Sequence, residues 1–388
     1  MKIVFIPYSY EYYGASESFL DLIKTLADNY NVEPVILTSK YGRYNEFAKV
    51  NNFENYVIGH KAFLLSKGRS KVRKIIKFFL RPFYWGQYRI SNVTAIMRAE
   101  KYVDFSSVDI IHTNLNRNDI GAILAQKHGI RHIWHIREFG DADYECVSLR
   151  NNYIDFMNRE NNTLIAISDA VMNKWILQGI NKERIVRIYN GVDESKFFPI
   201  QRQDKQLVRI VMIGALHPTK GQILLLKAIS NLPIEVKNRL RVDIYGDGKW
   251  DYKIRLFSLV KKKELSNIVT FKGYRDNICD IIKDYDVGVM ASKAEAFGRV
   301  TVEYMMSGLL VIASNTGASM EIIRNGETGL IFEYPSVEAL SKCIEYVVNN
   351  RKIISEIGNR ACEDAKSRFS LSSTAKCVYS LYGKVING

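Results

Sequence analysis

Two glutamates eight positions apart, Glu295 and Glu303, and a lysine just ahead of a helical pattern, Lys220, point most directly to chemistry. Glu295 stands in Ala294-Glu-Ala-Phe-Gly-Arg-Val-Thr-Val-Glu303, just after an apolar run ending near Ala291. Phe297-Gly298 should open a helix there, leaving Glu295 in the loop and Glu303 on the second turn. At about 1.5 Å rise per residue, the carboxylates lie on the order of 10 Å apart. That suits gripping two ends of one elongated ligand and exceeds the ~5–5.5 Å of a retaining hydrolase's carboxylate pair. The spacing equally fits a first-turn Glu favoured by the helix dipole and a second Glu on the surface. Lys220 closes Gly214-Ala-Leu-His-Pro-Thr-Lys-Gly221, between a strand pattern and a helix pattern. Glycine lets backbone approach a phosphate, the helix start offers N–H groups, and the lysine adds a full charge. Its spacing is neither that of a Walker A loop nor that of the dinucleotide fingerprint, and a plain strand-to-helix connection reads the same way. Tyr189-Asn-Gly-Val-Asp-Glu-Ser-Lys-Phe-Phe-Pro199 ends a strand with a tight Asn-Gly turn, and its place at a domain junction makes Asn190 a candidate lip of an interdomain cleft.

Positioning these residues requires strands that end where the motifs begin. Short β-branched runs alternate with longer helical patterns, the mark of parallel βαβ units. Strands are expected at Ile3–Ile6, Val35–Leu37, Val57–Ile58, Asp109–His112, His132–His135, Leu164–Ile167 and Arg184–Ile188. After the polar stretch from Phe198 to Gln206 the pattern restarts at Val208–Ile213, Arg241–Tyr245, Ile268–Phe271, Val287–Met290 and Leu310–Ala313. The expected fold is α/β, with two Rossmann-like doubly wound domains facing each other. Residues 1–198 form the amino-terminal domain and residues 199–370 the carboxy-terminal one, while residues 371–388 pack back on the first as a helix. In such sheets ligands bind beyond the carboxyl ends of the strands, where all three motifs fall.

A length of 388 residues, with 47% hydrophobic and 25% charged residues, excludes disorder, collagen and coiled coil. The formal charge of +14 calls for an anionic partner: nucleic acid, an anionic membrane or a phosphorylated substrate. Five scattered cysteines without a Cys-x-x-Cys pair fit reduced thiols and neither a zinc site nor a disulfide framework. With no signal-peptide core and no stretch of about 18 apolar residues, the chain reads as cytoplasmic.

Taken together, Ile167-Ser168, Asn190-Gly-Val-Asp193, Lys220-Gly221, Tyr245-Gly-Asp-Gly248, Phe271-Lys-Gly273, Glu295-Ala-Phe-Gly298 with Glu303, and Gly326-Glu-Thr-Gly-Leu330 resemble one family. It is that of the retaining, nucleotide-sugar-dependent GT-B glycosyltransferases of family four. The resemblance covers nearly the whole chain. It implies that Glu295 contacts the donor sugar, that Glu303 binds the ribose, and that amides around Phe297, Gly298, Arg299 and Val300 hold sugar and diphosphate. It further implies that Lys220 neutralises the diphosphate, that backbone near Tyr274 meets the base, and that neither a metal nor another cofactor is required. In the amino-terminal half, the loop around Gly14 resembles the family's phosphate-facing glycine loop, and His135 resembles the histidine beside the transferred sugar. Arg137, Glu138 and Asn190 are further candidates on the acceptor side, whereas His60, His112, His128 and His132 read as structural. The chain departs from the family at Ala215, where an arginine is usual; Arg299, Arg137 and His217 are available substitutes, with Arg299 favoured. The second glycine of the amino-terminal loop is also replaced, leaving Gly14-Ala15.

Residues 61–89 hold nine of the cations, including Lys71, Arg73, Lys74, Lys77 and Arg81, and no Asp or Glu. In a helix from about Ser70, Val72, Ile75, Ile76 and Phe79 share one face with cations on its flanks. This is the pattern of a helix lying on an anionic membrane, and also of a core helix with a solvated basic face. No recognised nucleic-acid motif accompanies it. The expectation is transfer of a sugar from a nucleoside-diphosphate sugar to a lipid-linked acceptor, at the inner face of the cell membrane, in surface polysaccharide assembly. A nucleotide-sugar 2-epimerase of the same fold and a catalytically silent partner subunit are the alternatives.

Overall fold

The computed structural model describes residues 1–8, 14–66, 76, 79–140, 146–150, 152–199 and 207–387. It divides into two units: Met1–Gly191 together with Leu371–Gly388, and Val192–Ser370. The division falls ahead of the expected boundary at 198 because Val192 already belongs to the second unit. Its N–H donates to the Phe369 carbonyl at 2.9 Å, and it bridges Ser370.

In the first unit the strands are β1 (Lys2–Ile6), β2 (Glu33–Thr38), β3 (Glu54–Val57), β4 (Leu64–Ser66), β5 (Ile110–Asn114), β6 (Arg131–Ile136), β7 (Cys146–Ser148), β8 (Asn162–Ala166) and β9 (Ile185–Arg187). Seven of them form one sheet in the order β3-β2-β1-β5-β6-β8-β9, every pair parallel. Strands such as Lys2–Ile6 are continuous apolar runs because helices cover both faces of the sheet. Helix Gly14–Tyr30 buries Phe19, Leu22, Ile23 and Leu26 on one side, together with Ala375, Val378 and Tyr382 of helix Leu371–Asn387. The chain therefore ends within the core of the unit where it began. β4 and β7 make a separate antiparallel pair.

In the second unit β10 (Val208–Ile213), β11 (Leu240–Tyr245), β12 (Val269–Gly273), β13 (Val287–Met290), β14 (Leu310–Ser314) and β15 (Leu330–Phe332) form one sheet in the order β12-β11-β10-β13-β14-β15. All of its pairings are parallel. Strand order reverses between β1 and β5 in the first sheet and between β10 and β13 in the second. These are the topological switch points at which doubly wound sheets bind ligands. Among the described residues no helix is long and apolar enough to cross a membrane.

Candidate active site

The second switch point brings the two carboxy-terminal motifs together. β10 runs into the turn carrying Lys220, and β13 into the loop carrying Glu295. Gly221, at φ +80°, lets the first turn press on the end of the second strand. A Cβ there would sit 2.0 Å from the Ala291 carbonyl oxygen. The Lys293 N–H donates to the Thr219 carbonyl at 2.7 Å and ties the two loops. Lys220 Nζ then reaches Glu295 Oε2 at 2.9 Å. Gly317 supports Glu295 from behind: at φ +53° it approaches so closely that a Cβ would lie 2.1 Å from the Glu295 carbonyl oxygen. That same oxygen accepts from the Ala318 N–H at 2.8 Å.

Helix Arg299–Met306 begins where the sequence predicts, with Gly298 at its N-cap in the left-handed region. Its first intrahelical bond runs from the Val302 N–H to the Gly298 carbonyl at 3.2 Å, so the amides of Arg299, Val300 and Thr301 precede the ladder at the positive end of the dipole. Phe297 is buried against the Phe369 ring. Glu303, on the second turn, is 3% exposed and accepts from Arg299 Nε at 2.8 Å. Arg299 is therefore committed to Glu303 here, whereas the sequence reading has it replacing the arginine missing at Ala215. The Ala215 carbonyl is held by the buried Gln222 amide at 2.9 Å. Tyr274 follows β12 on the surface, its hydroxyl donating to Asp276 Oδ1 at 2.7 Å.

The first unit builds a second polar cluster at its own switch point. His135 ends β6 beside Asn114 at the end of β5. The imidazole is buried, and Arg137 Nη2 lies 3.4 Å from its Nδ1. A guanidinium only donates, so Nδ1 accepts and the ring hydrogen is assigned to Nε2. His112 Nε2 lies 3.2 Å from the same Nδ1 and must also donate; its own Nδ1 accepts from the Tyr382 hydroxyl at 2.6 Å. His135 Nε2 is buried with no hydrogen-bond partner among the described residues. Burial, the Arg137 charge and His112 hold the His135 imidazole well below its ordinary pKa, so it is neutral. Arg137 is itself fixed, with Nε on Asn114 Oδ1 at 2.6 Å and Nη1 on Asn190 Oδ1. The cluster thus presents one oriented neutral N–H donor beside a buried cation.

The structure brings His135, Arg137 and Asn190 into one cluster and Lys220, Glu295, Arg299 and Glu303 into another. Glu138 Oε2 accepts from Arg117 at 3.0 and 3.1 Å. Gly14 begins helix Gly14–Tyr30. His112, read from the sequence as structural, is a hydrogen-bond partner of His135. Neighbouring strands bring them together, and Tyr382, far along the chain, completes the set; no spacing in the sequence signals that. Lys71, Arg73, Lys74 and Lys77 lie outside the described residues. Phe79 is 75% exposed, and Arg81 starts helix Arg81–Tyr102 with Nη2 on the Ser148 carbonyl at 3.0 Å. Among the described residues no group of three or more His, Cys, Asp or Glu side chains converges as a metal site.

Two family descriptions match the chain in succession: Glycosyltransferase Family 4 over residues 12–196 and Glycosyl transferases group 1 over residues 193–364. An uncharacterised glycosyltransferase of Methanocaldococcus jannaschii is 27% identical over 388 residues, covering 98% of each chain. The poly(ribitol-phosphate) alpha-N-acetylglucosaminyltransferase of Staphylococcus aureus is 26% identical over 265 residues, 66% of this chain and 51% of that protein. The crystal structure of HepE from Anabaena in complex with UDP superimposes with a TM-score of 0.79 at 20% identity, covering 99% of this chain and 100% of that one. Two parallel sheets, each with its motifs at the switch point, and this succession of matches place the chain in the GT-B glycosyltransferases of family four.

Proposed function

We propose that the protein is a retaining glycosyltransferase that moves a sugar from a nucleoside-diphosphate sugar to a lipid-linked acceptor in surface polysaccharide assembly, working at the cytoplasmic face of the membrane. The observation that carries the donor reading is the convergence of Lys220, Glu295 and the amino-terminal end of helix Arg299–Met306 at one switch point. Lys220 and the helix-end amides stabilise the charge that develops on the departing diphosphate, where fixed donors act most strongly. Glu295 accepts from sugar hydroxyls, and Glu303, held by Arg299, accepts from the ribose. His135 offers its Nε2–H to a sugar oxygen without bringing a charge to the oxocarbenium-like carbon. Retention follows if the acceptor hydroxyl attacks from the face that the diphosphate leaves, its proton passing to the departing phosphate oxygen. No enzymic nucleophile and no metal is assigned to the reaction.

The UDP bound to HepE makes uridine donors the first to test, and the named substrate of the Staphylococcus aureus relative supports a polymer acceptor. Membrane association is supported by helix Arg81–Tyr102, where Phe83, Ile90 and Met97 recur one heptad apart and are 60%, 71% and 65% exposed. Release of nucleoside diphosphate from UDP-, GDP-, ADP- and dTDP-sugars, with and without EDTA, tests the proposal. Turnover of one donor that survives chelation supports it. A protein that neither binds nor turns over any of them is instead the silent homologue that Ala215 would fit.

A further inference from the structure

Against helix Arg81–Tyr102, on the side that also meets Leu149 and Phe156, the first unit forms a half-open cavity of about 460 Å³ that uses none of the residues assigned to donor chemistry. Its wall carries the apolar side chains of Val93, Ile96, Ile123, Leu149 and Phe156 beside the polar Tyr88, Asn92 and Gln126. Its rim is cationic. Arg150 and Arg159 place their guanidinium carbons 3.9 and 4.6 Å from the Phe156 ring centroid, and Arg89 lies 5.1 Å from that of Trp85. Arg150 is balanced by the buried Asp119 carboxylate at 2.9 Å. Arg159 bonds the neutral Gln126 amide, and neither it nor Arg89 has a carboxylate partner among the described residues. Two uncompensated guanidiniums therefore flank a partly apolar cavity.

A guanidinium stacked by its face keeps its edge N–H groups for a ligand, in the fork that matches phosphate oxygens. The rings here are already engaged by those cations, which leaves a nucleobase poorly served and argues against a second nucleotide site. The apolar part of the wall has no use for a bare anion. Outside the cavity, the same helix exposes Phe83, Ile90 and Met97. A chamber of this volume is within the range that holds a small ligand, of about 300–1,000 Å³.

We propose that this cavity binds a phosphate-bearing amphiphile, with Arg89 and Arg159 on the phosphate oxygens and the hydrocarbon against Val93, Ile96 and Ile123. The phosphate comes either from an isoprenoid diphosphate carrier or from an anionic phospholipid headgroup. This rests on the lipid-facing part of the proposed function and not on its donor chemistry.

Equilibrium binding tests it, using intact protein and the double variant Arg89→Gln/Arg159→Gln. The probes are a soluble short-chain isoprenyl diphosphate, inorganic pyrophosphate, and phosphatidylglycerol or phosphatidylcholine vesicles; the nucleoside diphosphates serve as a separate control. We expect saturable binding of the isoprenyl diphosphate, weakened at least tenfold in the double variant, with pyrophosphate weaker than the amphiphile. Competition by phosphatidylglycerol vesicles alone identifies a headgroup as the source, and its absence identifies the carrier. The proposal is overturned if neither isoprenyl diphosphate nor phosphatidylglycerol binds, if the double variant binds like the parent, or if pyrophosphate binds as well as the amphiphile. Loss of nucleoside diphosphate binding with amphiphile binding intact would count against the donor site alone. An unchanged melting temperature shows that the variant is folded.

Discussion

Replacing Glu295 by Gln should drive two properties in opposite directions. In the free protein Lys220 Nζ sits 2.9 Å from Glu295 Oε2, with the two side chains 33% and 14% exposed. A partly exposed pair of this kind is worth about 0.2–1 kcal/mol. A diphosphate arriving at Lys220 competes with that carboxylate for the ammonium. The substitution keeps the shape and removes the competing charge, so it returns up to ~1 kcal/mol to a bare nucleoside diphosphate, about a fivefold tighter Kd. The sugar loses a charged acceptor worth about 1.5–3 kcal/mol, so kcat/KM for transfer should fall roughly 10- to 150-fold. Calorimetric titration with the nucleoside diphosphate chosen from the donor panel, beside a turnover assay, reads both. If Glu295→Gln weakens nucleoside diphosphate binding, or leaves transfer untouched, then Glu295 accepts a hydrogen bond from the nucleotide itself or meets no ligand at all, and the division of roles is wrong.

Tyr382→Phe removes the hydroxyl that donates to His112 Nδ1 at 2.6 Å and leaves a buried acceptor unsatisfied. Urea denaturation should show a loss of about 1–3 kcal/mol, and an unchanged midpoint would remove Tyr382 from the chain of hydrogen bonds. Stability should also fall in mild acid. Burial depresses the pKa of His60 to about 4 and of His132 to about 3, and holds His112 and His135 well below the ordinary value. The unfolded chain binds these protons below the ordinary histidine value of 6.5 and the folded chain does not. Their contribution is therefore complete above that pH and erodes as pH falls toward about 4, by roughly 1.4 kcal/mol per pH unit for each histidine. Denaturation midpoints between those limits check this, and a pH-independent midpoint would mean that these imidazoles are already charged or hydrated. Changing Lys71, Arg73, Lys74 and Lys77 together to Glu should abolish binding to anionic liposomes, since each basic residue near a membrane contributes about 1 kcal/mol. High salt should weaken the parent in the same assay; indifference to both rules out that membrane surface.

Most of both sheets was legible because their strands are buried on two faces and so appear as unbroken apolar runs such as Ile3–Ile6 and Leu310–Ala313. Some short strands were not: β4, β7 and β15 have three residues each, too few to show a period of two, and the pairing of β4 with β7 joins segments far apart in the chain. Lys220, Glu295 and Glu303 stood out because glycines mark the turns that carry them, and one of these, Gly221, proves to be a site of close backbone approach. The Arg299–Glu303 pair could have been read from its four-residue helical spacing. His112 and Tyr382 could not, since only tertiary packing sets one side chain's hydrogen atoms by another's.

The donor site is tested most directly by the affinity of a nucleoside diphosphate for the parent and for Lys220→Ala, measured side by side. Lys220 is partly exposed, so its truncation leaves the fold intact. One nucleoside diphosphate should bind the parent saturably, and the variant should bind it about 10- to 100-fold more weakly, the worth of one charged hydrogen bond. Equal affinity in the two proteins would mean that the diphosphate does not lie at the β10–β13 switch point.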